Sequence, residues 1–198
     1  MAGRRPTARD LVALAALALL NEGPKHPYEI HQTVRERHFD FLTGLPRSLY
    51  HAVDRLIRAG FAVPVETSRE GQRPERTVLR ITEEGRDELR SWVRDLLTVP
   101  GEKDAFVAGI TFSYVLEPSV LLMDLNVRAT RLAGHAAEMD AQLRRLDGVL
   151  PRMLVLEAEY RRAMSEAESR WVESLITALE SGEVDWDFLT DEGGAPDR

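Results

Sequence analysis

Arg47, Ser48, Tyr50, His51 and Arg55 fall within nine residues, and Arg69, Arg73 and Arg76 fall within eight more a short way downstream. Guanidinium forks match phosphate oxygens and the O6/N7 edge of guanine, and hydroxyls reach either phosphate or base edges. A neutral imidazole can make single hydrogen bonds but cannot fork. This is the chemistry of nucleic-acid contact, and none of it requires a bond to break. Enzymatic arrangements are missing from the chain: there is no P-loop, no G-x-S-x-G, no H-E-x-x-H and no Rossmann glycine pattern. His26, His31, His38, His51 and His135 show no i, i+4 ligand pairing, and cysteine is absent, so neither a metal site nor a cofactor is expected.

The elements that must hold these side chains can be read around them. Pro46 suits a first helical position and Gly60 the residue just past a helix end. Between them Leu49, Val53, Leu56 and Ile57 recur at three- and four-residue steps, which predicts an apolar face under a polar face carrying Arg47, Ser48, Tyr50, His51, Asp54, Arg55 and Arg58. About fourteen residues make a rod of roughly 21 Å, enough to cross a major groove about 12 Å wide. Phe61, Val63 and Val65 alternate with Ala62, Pro64 and Glu66 as a half-buried strand does, and Pro64 favours an edge. SREGQRP is turn chemistry and TVLRI a second strand, so the helix is followed by a hairpin with Arg69, Arg73 and Arg76 at its tip. Such a tip is either a solvated turn or a phosphate-contacting wing, and its place directly after the helix favours the wing. Tyr50 stays open between a phosphate contact and a cover for the core rim.

The net charge of −7 divides unevenly. Residues 1–80 hold 13 Lys+Arg against 9 Asp+Glu, whereas residues 81–198 hold 13 against 24. A basic first part can meet phosphates while an acidic second part stays away from them. LVALAALALL, residues 11–20, is the longest apolar run and is too short to span a bilayer; it reads as a buried first helix from Ala8 to Leu20 with Thr7 as its cap. A second helix is expected over Pro27–Arg37 with Tyr28, Ile30 and Val34 inward, and a fourth over Glu83–Leu97. Pro100-Gly101 marks a boundary. Beyond it the chain reads as helical: one helix from Asp104 to Leu116 with Phe106, Ile110 and Tyr114 in line, then two long ones. The first has a heptad seam of Leu125, Ala129, Leu132, Ala136, Met139, Leu143 and Leu146; the second has Tyr160, Met164, Ala167, Trp171 and Leu175. Two seams predict an antiparallel pair, and the surface it leaves uncovered predicts a second copy. The fold class is therefore mostly α: an N-terminal winged helix-turn-helix, three helices plus a two-stranded wing, followed by an antiparallel long-helix domain. Domains are expected at 1–98 and 99–182, with an acidic tail at 183–198 in which Trp186 and Phe188 can fold back. Lack of cysteine suits a reducing cytoplasm.

Several of these segments resemble the PadR-type transcriptional regulators. Pro27-Tyr28-Glu29-Ile30 is similar to the family's second-helix signature, Ser48-Leu49-Tyr50-His51-Ala52-Val53-Asp54-Arg55-Leu56 with Gly60-Phe61 to its recognition-helix signature, and Ile81-Thr82-Glu83-Glu84-Gly85 to the segment after its wing. The long helical tail resembles the C-terminal dimerisation domain of one subgroup. Three positions depart: Pro27 stands where the family usually has glycine, His51 where it has arginine, and Leu79 where it has an aromatic. The resemblance implies a homodimer joined through the C-terminal helices and first helix, binding double-stranded DNA at an inverted repeat, with repression the family default. It also implies a small aromatic effector, for which Phe106, Tyr114, Met139, Met164 and Trp171 are the candidate lining; core packing explains the same residues. Two other readings stand beside this one: a winged-helix adaptor for protein contacts, and a small-molecule sensor with weak DNA binding.

Overall fold

The computed structural model describes residues 11–68, 76–101, 103–146 and 148–184. These residues are mostly helical, with a single two-stranded antiparallel sheet among them. They form two compact units. One holds the described residues through Leu96 together with Gly101–Val115; the other holds Leu97–Pro100 and the described residues from Leu116 onward. Among the described residues no helix is long and apolar enough to cross a membrane.

The first unit is built on α1 (Leu11–Asn21), in which every residue from Leu11 to Leu20 is buried. Apolar residues all round the helix oblige it to sit inside, and α2, α3 and the sheet enclose it. The expected start at Ala8 and cap at Thr7 lie outside the described residues. α2 (Pro27–Glu36) opens with a capping box: His26 Nδ1 accepts from the Tyr28 N–H at 3.0 Å, and the His26 N–H donates to Glu29 Oε2 at 2.6 Å. Pro27 follows as the first helical residue, where its missing N–H costs nothing, which accounts for proline in place of the family's glycine. Ile30 and Val34 are buried as expected, but Tyr28 is 61% exposed. The reason is geometric: Tyr28 lies two residues before Ile30, about 200° round the helix, on the side away from the core. At the other end the Phe39 N–H reaches back to the Val34 carbonyl with His38 at φ +52°, a left-handed helix stop without glycine.

α3 (Arg47–Arg58) buries Leu49, Ala52, Val53 and Leu56. Pro46, expected as the first helical residue, is instead the capping residue, and Ile57, expected inside, is 36% exposed. Ala52 completes the buried face in its place, since it centres with Leu49, Val53 and Leu56 on one meridian. Gly60 stands at φ +80°, just past the helix, as its type predicted.

β1 (Ala62–Ser68) and β2 (Arg76–Ile81) pair with Ala62 opposite Ile81 and Pro64 opposite Leu79, and a bulge falls between Pro64 and Glu66. This reverses the expected faces of β1. Ala62, Leu79 and Ile81 are buried, while Val63 and Val65 are exposed. The larger apolar pair on β2 decides which face turns inward, and Ala62 follows its partner. Leu79 N–H and C=O both bond Lys25, each at 3.0 Å, so β2 gains a neighbour on its far side and Leu79 becomes a core residue. A leucine in place of the family's aromatic is thereby accommodated. Thr82 then caps α4 (Glu83–Thr98): its Oγ1 accepts from the Gly85 N–H at 3.0 Å and donates to the Gly60 carbonyl at 2.7 Å. Leu89 and Val93 continue the core.

The expected single helix from Asp104 to Leu116 is α5 (Lys103–Thr111) followed by a 3₁₀ turn at Ser113–Val115. Thr111 and Ser113 hydroxyls bond back to the Val107 and Ile110 carbonyls, which weakens continuation of the helix. Ala108, Gly109, Phe112 and Ser113 are buried, and Phe106, Ile110 and Tyr114 are half-buried.

The second unit is a hairpin of α6 (Pro118–Leu146) and α7 (Leu156–Glu180). Arg128 pairs with Glu168 and Asp140 with Arg162, so numbers fall on one helix as they rise on the other, and the pair is antiparallel. Leu121, Leu125 and Leu132 are buried on α6. On α7 the expected seam points outward: Tyr160 is 66% exposed, Met164 and Trp171 each 48%. The inward line is Ala158, Arg162, Ser165, Ser169, Val172, Ile176 and Leu179, with the same four-three steps. Two stripes of equal period run along α7, and the one with polar members packs on α6 because Arg162 finds Asp140 there.

Candidate nucleic-acid interface

The interface begins with the polar face of α3. At 100° per residue Arg47, His51, Asp54 and Arg58 lie on the meridian opposite the buried face, with Arg55 and Ser48 on one flank and Tyr50 on the other. Arg47, Tyr50, His51, Arg55 and Arg58 are all exposed. Arg47 occupies the first helical position, at the positive end of the helix dipole, a setting that favours anions. Tyr50 is 48% exposed, a position on the outer flank and not a core cover. The Ser48 hydroxyl donates to the Thr43 carbonyl at 3.4 Å, so it helps hold the approach to the helix while its lone pairs stay available. Arg58 was not singled out from the sequence, yet it continues the Arg47, His51, Asp54 stripe in steps of four, three and four; its Nε donates to the Asp54 carbonyl at 3.1 Å. That spacing was the available signal.

The wing is held against this helix by the backbone. Phe61 N–H donates to the Leu56 carbonyl at 2.9 Å, and Thr82 N–H to the Phe61 carbonyl at 3.0 Å. Both strands of the hairpin therefore start from fixed points beside the end of α3. Arg76 begins β2, whereas Arg69 and Arg73 lie outside the described residues. Arg80 is exposed on the outer face of β2 opposite Val63, a further cation at the wing that sequence reasoning passed over.

The path from α2 into α3 is braced from beneath. Arg37 donates to both carboxylate oxygens of Glu22, at 2.5 and 2.9 Å, and the Tyr114 hydroxyl donates to the same carboxylate at 3.0 Å. The hydrogen bond to Glu22 raises Arg37 above the usual guanidinium range against the opposing effect of burial. Burial first, and then the Glu22 charge, raise the Tyr114 phenol well above the ordinary tyrosine value. Phe39 and Phe41 stack at 5.7 Å and both meet buried Phe112 edge-on, at 5.3 and 6.0 Å.

The proposed effector residues divide between the units. Phe106 and Tyr114 belong to the first, and Met139, Met164 and Trp171 to the second. Of the histidines, His26 is a helix cap, and no group of three or more His, Asp or Glu among the described residues is arranged to hold a metal ion.

Comparison with known proteins matches residues 16–91 to the Transcriptional regulator PadR-like family. No curated protein matches the chain. Among solved structures, Bacillus subtilis PadR in complex with operator DNA is 18% identical, with a TM-score of 0.41 over 84% of this chain and 98% of that one. The same regulator in complex with p-coumaric acid is 16% identical, with a TM-score of 0.39 over 86% and 99%. The PadR-like transcriptional regulator BC1756 of Bacillus cereus is 17% identical, with a TM-score of 0.38 over 89% and 99%. The matched segment runs from within α1 through α3 and the hairpin into α4, the span that holds the candidate DNA-contact residues. Residues 16–91 of this chain are thus similar to the PadR-like transcriptional regulators.

Proposed function

We propose that the protein is a homodimeric repressor that reads an inverted-repeat operator and is released by a small aromatic effector. The observation that carries this reading is the outward stripe of α3, where Arg47, His51 and Arg58 stand clear of the core with Arg55 beside them and the wing tied to the helix end. Twelve helical residues give about 18 Å of reading surface, suited to one half-site. Arg47, Ser48, Tyr50, His51 and Arg55 would contact the groove and its phosphates, and Arg69, Arg73 and Arg76 the backbone beside it. His51 cannot fork onto guanine as arginine does, so the base it faces is expected to differ from the family's preference.

A second copy fits the outward stripe of α7. Tyr160, Met164 and Trp171 form an exposed apolar line on a helix whose other stripe is already used. A two-fold dimer on an inverted repeat would use one recognition helix per half-site, in successive major grooves about 34 Å apart. Changing Trp171 to glutamate is expected to convert dimer to monomer in light scattering while leaving the helical content of each chain intact. A W171E protein that remains dimeric would move the interface elsewhere. For the effector, the family resemblance implies a phenolic or polyaromatic compound, with Phe106 and Tyr114 the candidate contacts in the first unit and Met139, Met164 and Trp171 those in the second.

Selection of genomic fragments on the immobilised protein tests the reading as a whole. An enriched palindrome near a promoter is the expected result, with affinity falling steeply with salt as phosphate contacts require. On that site Arg47→Ala should weaken binding by about 1–3 kcal/mol, the usual worth of a good base contact. Salt-insensitive binding, or an R47A protein with unchanged affinity at matched salt, would turn the winged helix into an adaptor for other proteins.

A further inference from the structure

The first unit contains a cleft of about 420 Å³ on the side of the α2–α3 connection, between residues 37–41 and α5. Its size falls in the range of small-molecule sites, roughly 300–1,000 Å³. Phe39 and Phe41 line it together with Asp40, Asp104, Val107 and Thr111. The two rings lie 24° from parallel and are fixed from behind by Phe112, so their arrangement exists before any ligand arrives. His38 borders the cleft as well, and besides it the charged side chains of the lining are Arg37, Asp40 and Asp104. The Arg37 guanidinium is committed to both oxygens of Glu22. Asp40 and Asp104 are exposed carboxylates, and among the described residues no ion pair engages either of them.

From these features we infer that the cleft binds a small flat aromatic cation, such as an arylalkyl ammonium. A flat ring system would lie against Phe39, Phe41 and Val107, where offset stacking and apolar contact are available. A positive nitrogen at its rim would face Asp40 and Asp104 and the negative faces of the phenyl rings, which attract cations. An aromatic anion of the same shape would meet two carboxylates, while the one guanidinium of the lining is held by Glu22 and His38 is its sole other basic group, so charge favours the cation. The residues differ from the five candidate effector positions, and the binding claim is independent of DNA. Residues 39–41 also lead directly toward α3, so an occupied cleft would be felt at the recognition helix if the proposed function holds.

Titration calorimetry of the full chain with (2-naphthylmethyl)trimethylammonium, beside 2-naphthylacetate as the isosteric anion, tests the inference without DNA. The cation is expected to bind once per chain and at least tenfold more tightly than the anion. The D40N/D104N double variant, altered only at exposed carboxylates, should lose about tenfold in cation affinity with its thermal melting unchanged, and F41A should weaken the cation as well. The inference is overturned by equal affinity for the two probes, by absence of cation binding, or by cation binding that survives D40N/D104N, which would place the probe elsewhere on the chain.

Discussion

Replacing Arg128 with leucine is expected to destabilise the protein by about 3–5 kcal/mol, the cost of removing one member of a buried charged network. Arg128 is the largest fully buried side chain among the described residues. Its Nε donates to Glu168 at 2.7 Å, and Nη1 reaches the carbonyls of Leu97 and Val99 at 3.0 and 3.1 Å, so one guanidinium closes the end of α4 and ties α6 to α7. Arg131 adds a bond to the Thr98 carbonyl at 2.7 Å. Burial lowers the Arg128 pKa and the Glu168 bond opposes that, yet a guanidinium remains charged throughout the working range. Leucine would leave the buried Leu97 carbonyl without this donor. Glu168 matters less, because its side chain keeps 31% of its exposure and can be rehydrated. An R128L/E168L double variant should therefore recover no more than about 1 kcal/mol of the loss. Lysine should also fall short, since one ammonium cannot span the positions that a planar fork reaches. Urea denaturation at fixed chain concentration reads all three. A loss for R128L below about 1 kcal/mol would mean that the carbonyls find water and that the network is ornamental.

Gly85→Ala is the second large effect, and propensity and packing give it opposite signs. On helix propensity alone alanine should stabilise this position by about 1 kcal/mol. A Cβ built there, however, stands 2.2 Å from the Phe61 carbonyl oxygen and 2.9 Å from Ile81 Cγ1. The Phe61 carbonyl is backbone and already accepts the Thr82 N–H at 3.0 Å, so it cannot swing aside without opening the wing from α3. The clash should prevail, with a net loss of about 3 kcal/mol, at the upper end of the usual overpacking cost. Differential scanning calorimetry of G85A beside wild type settles the sign: a raised melting temperature would show that the junction yields and that propensity governs the site.

The Thr-x-x-Gly element was legible in the sequence as a family signature, and its physical content comes from the structure. Thr82 caps the helix and holds Gly60, while Gly85 is required by the closeness of a carbonyl rather than by an unusual φ. Helix existence was legible from apolar periodicity in α3 and α6, and from the unbroken apolar run in α1. Face assignment failed where two answers had the same period. On α7 both stripes repeat at four-three steps, and only the placement of Asp140 on α6 makes the polar stripe the inner one. In β1, Val63 and Val65 are better strand residues than Ala62, but the facing Leu79 and Ile81 impose the opposite choice. The exposed polar face of α3 was legible from residue type, because arginines spaced along a short amphipathic helix are visible in one dimension. Arg80 was missed because its orientation depends on strand register, which the sequence states only through its partner.

The bonds that tie Thr82 to Gly60 and Phe61 also set how freely the wing can change. Both feet of the hairpin are pinned, and pairing continues out to Ser68 opposite Arg76, so what lies beyond is a closed loop whose length does not alter the geometry at its base. Closure entropy grows only logarithmically, about 0.6 kcal/mol for each doubling of a flexible loop. Insertions and deletions between residues 68 and 76 are thus expected to be nearly neutral for folding. Evolution can then retune the wing's reach in small steps without refolding the helix that it flanks.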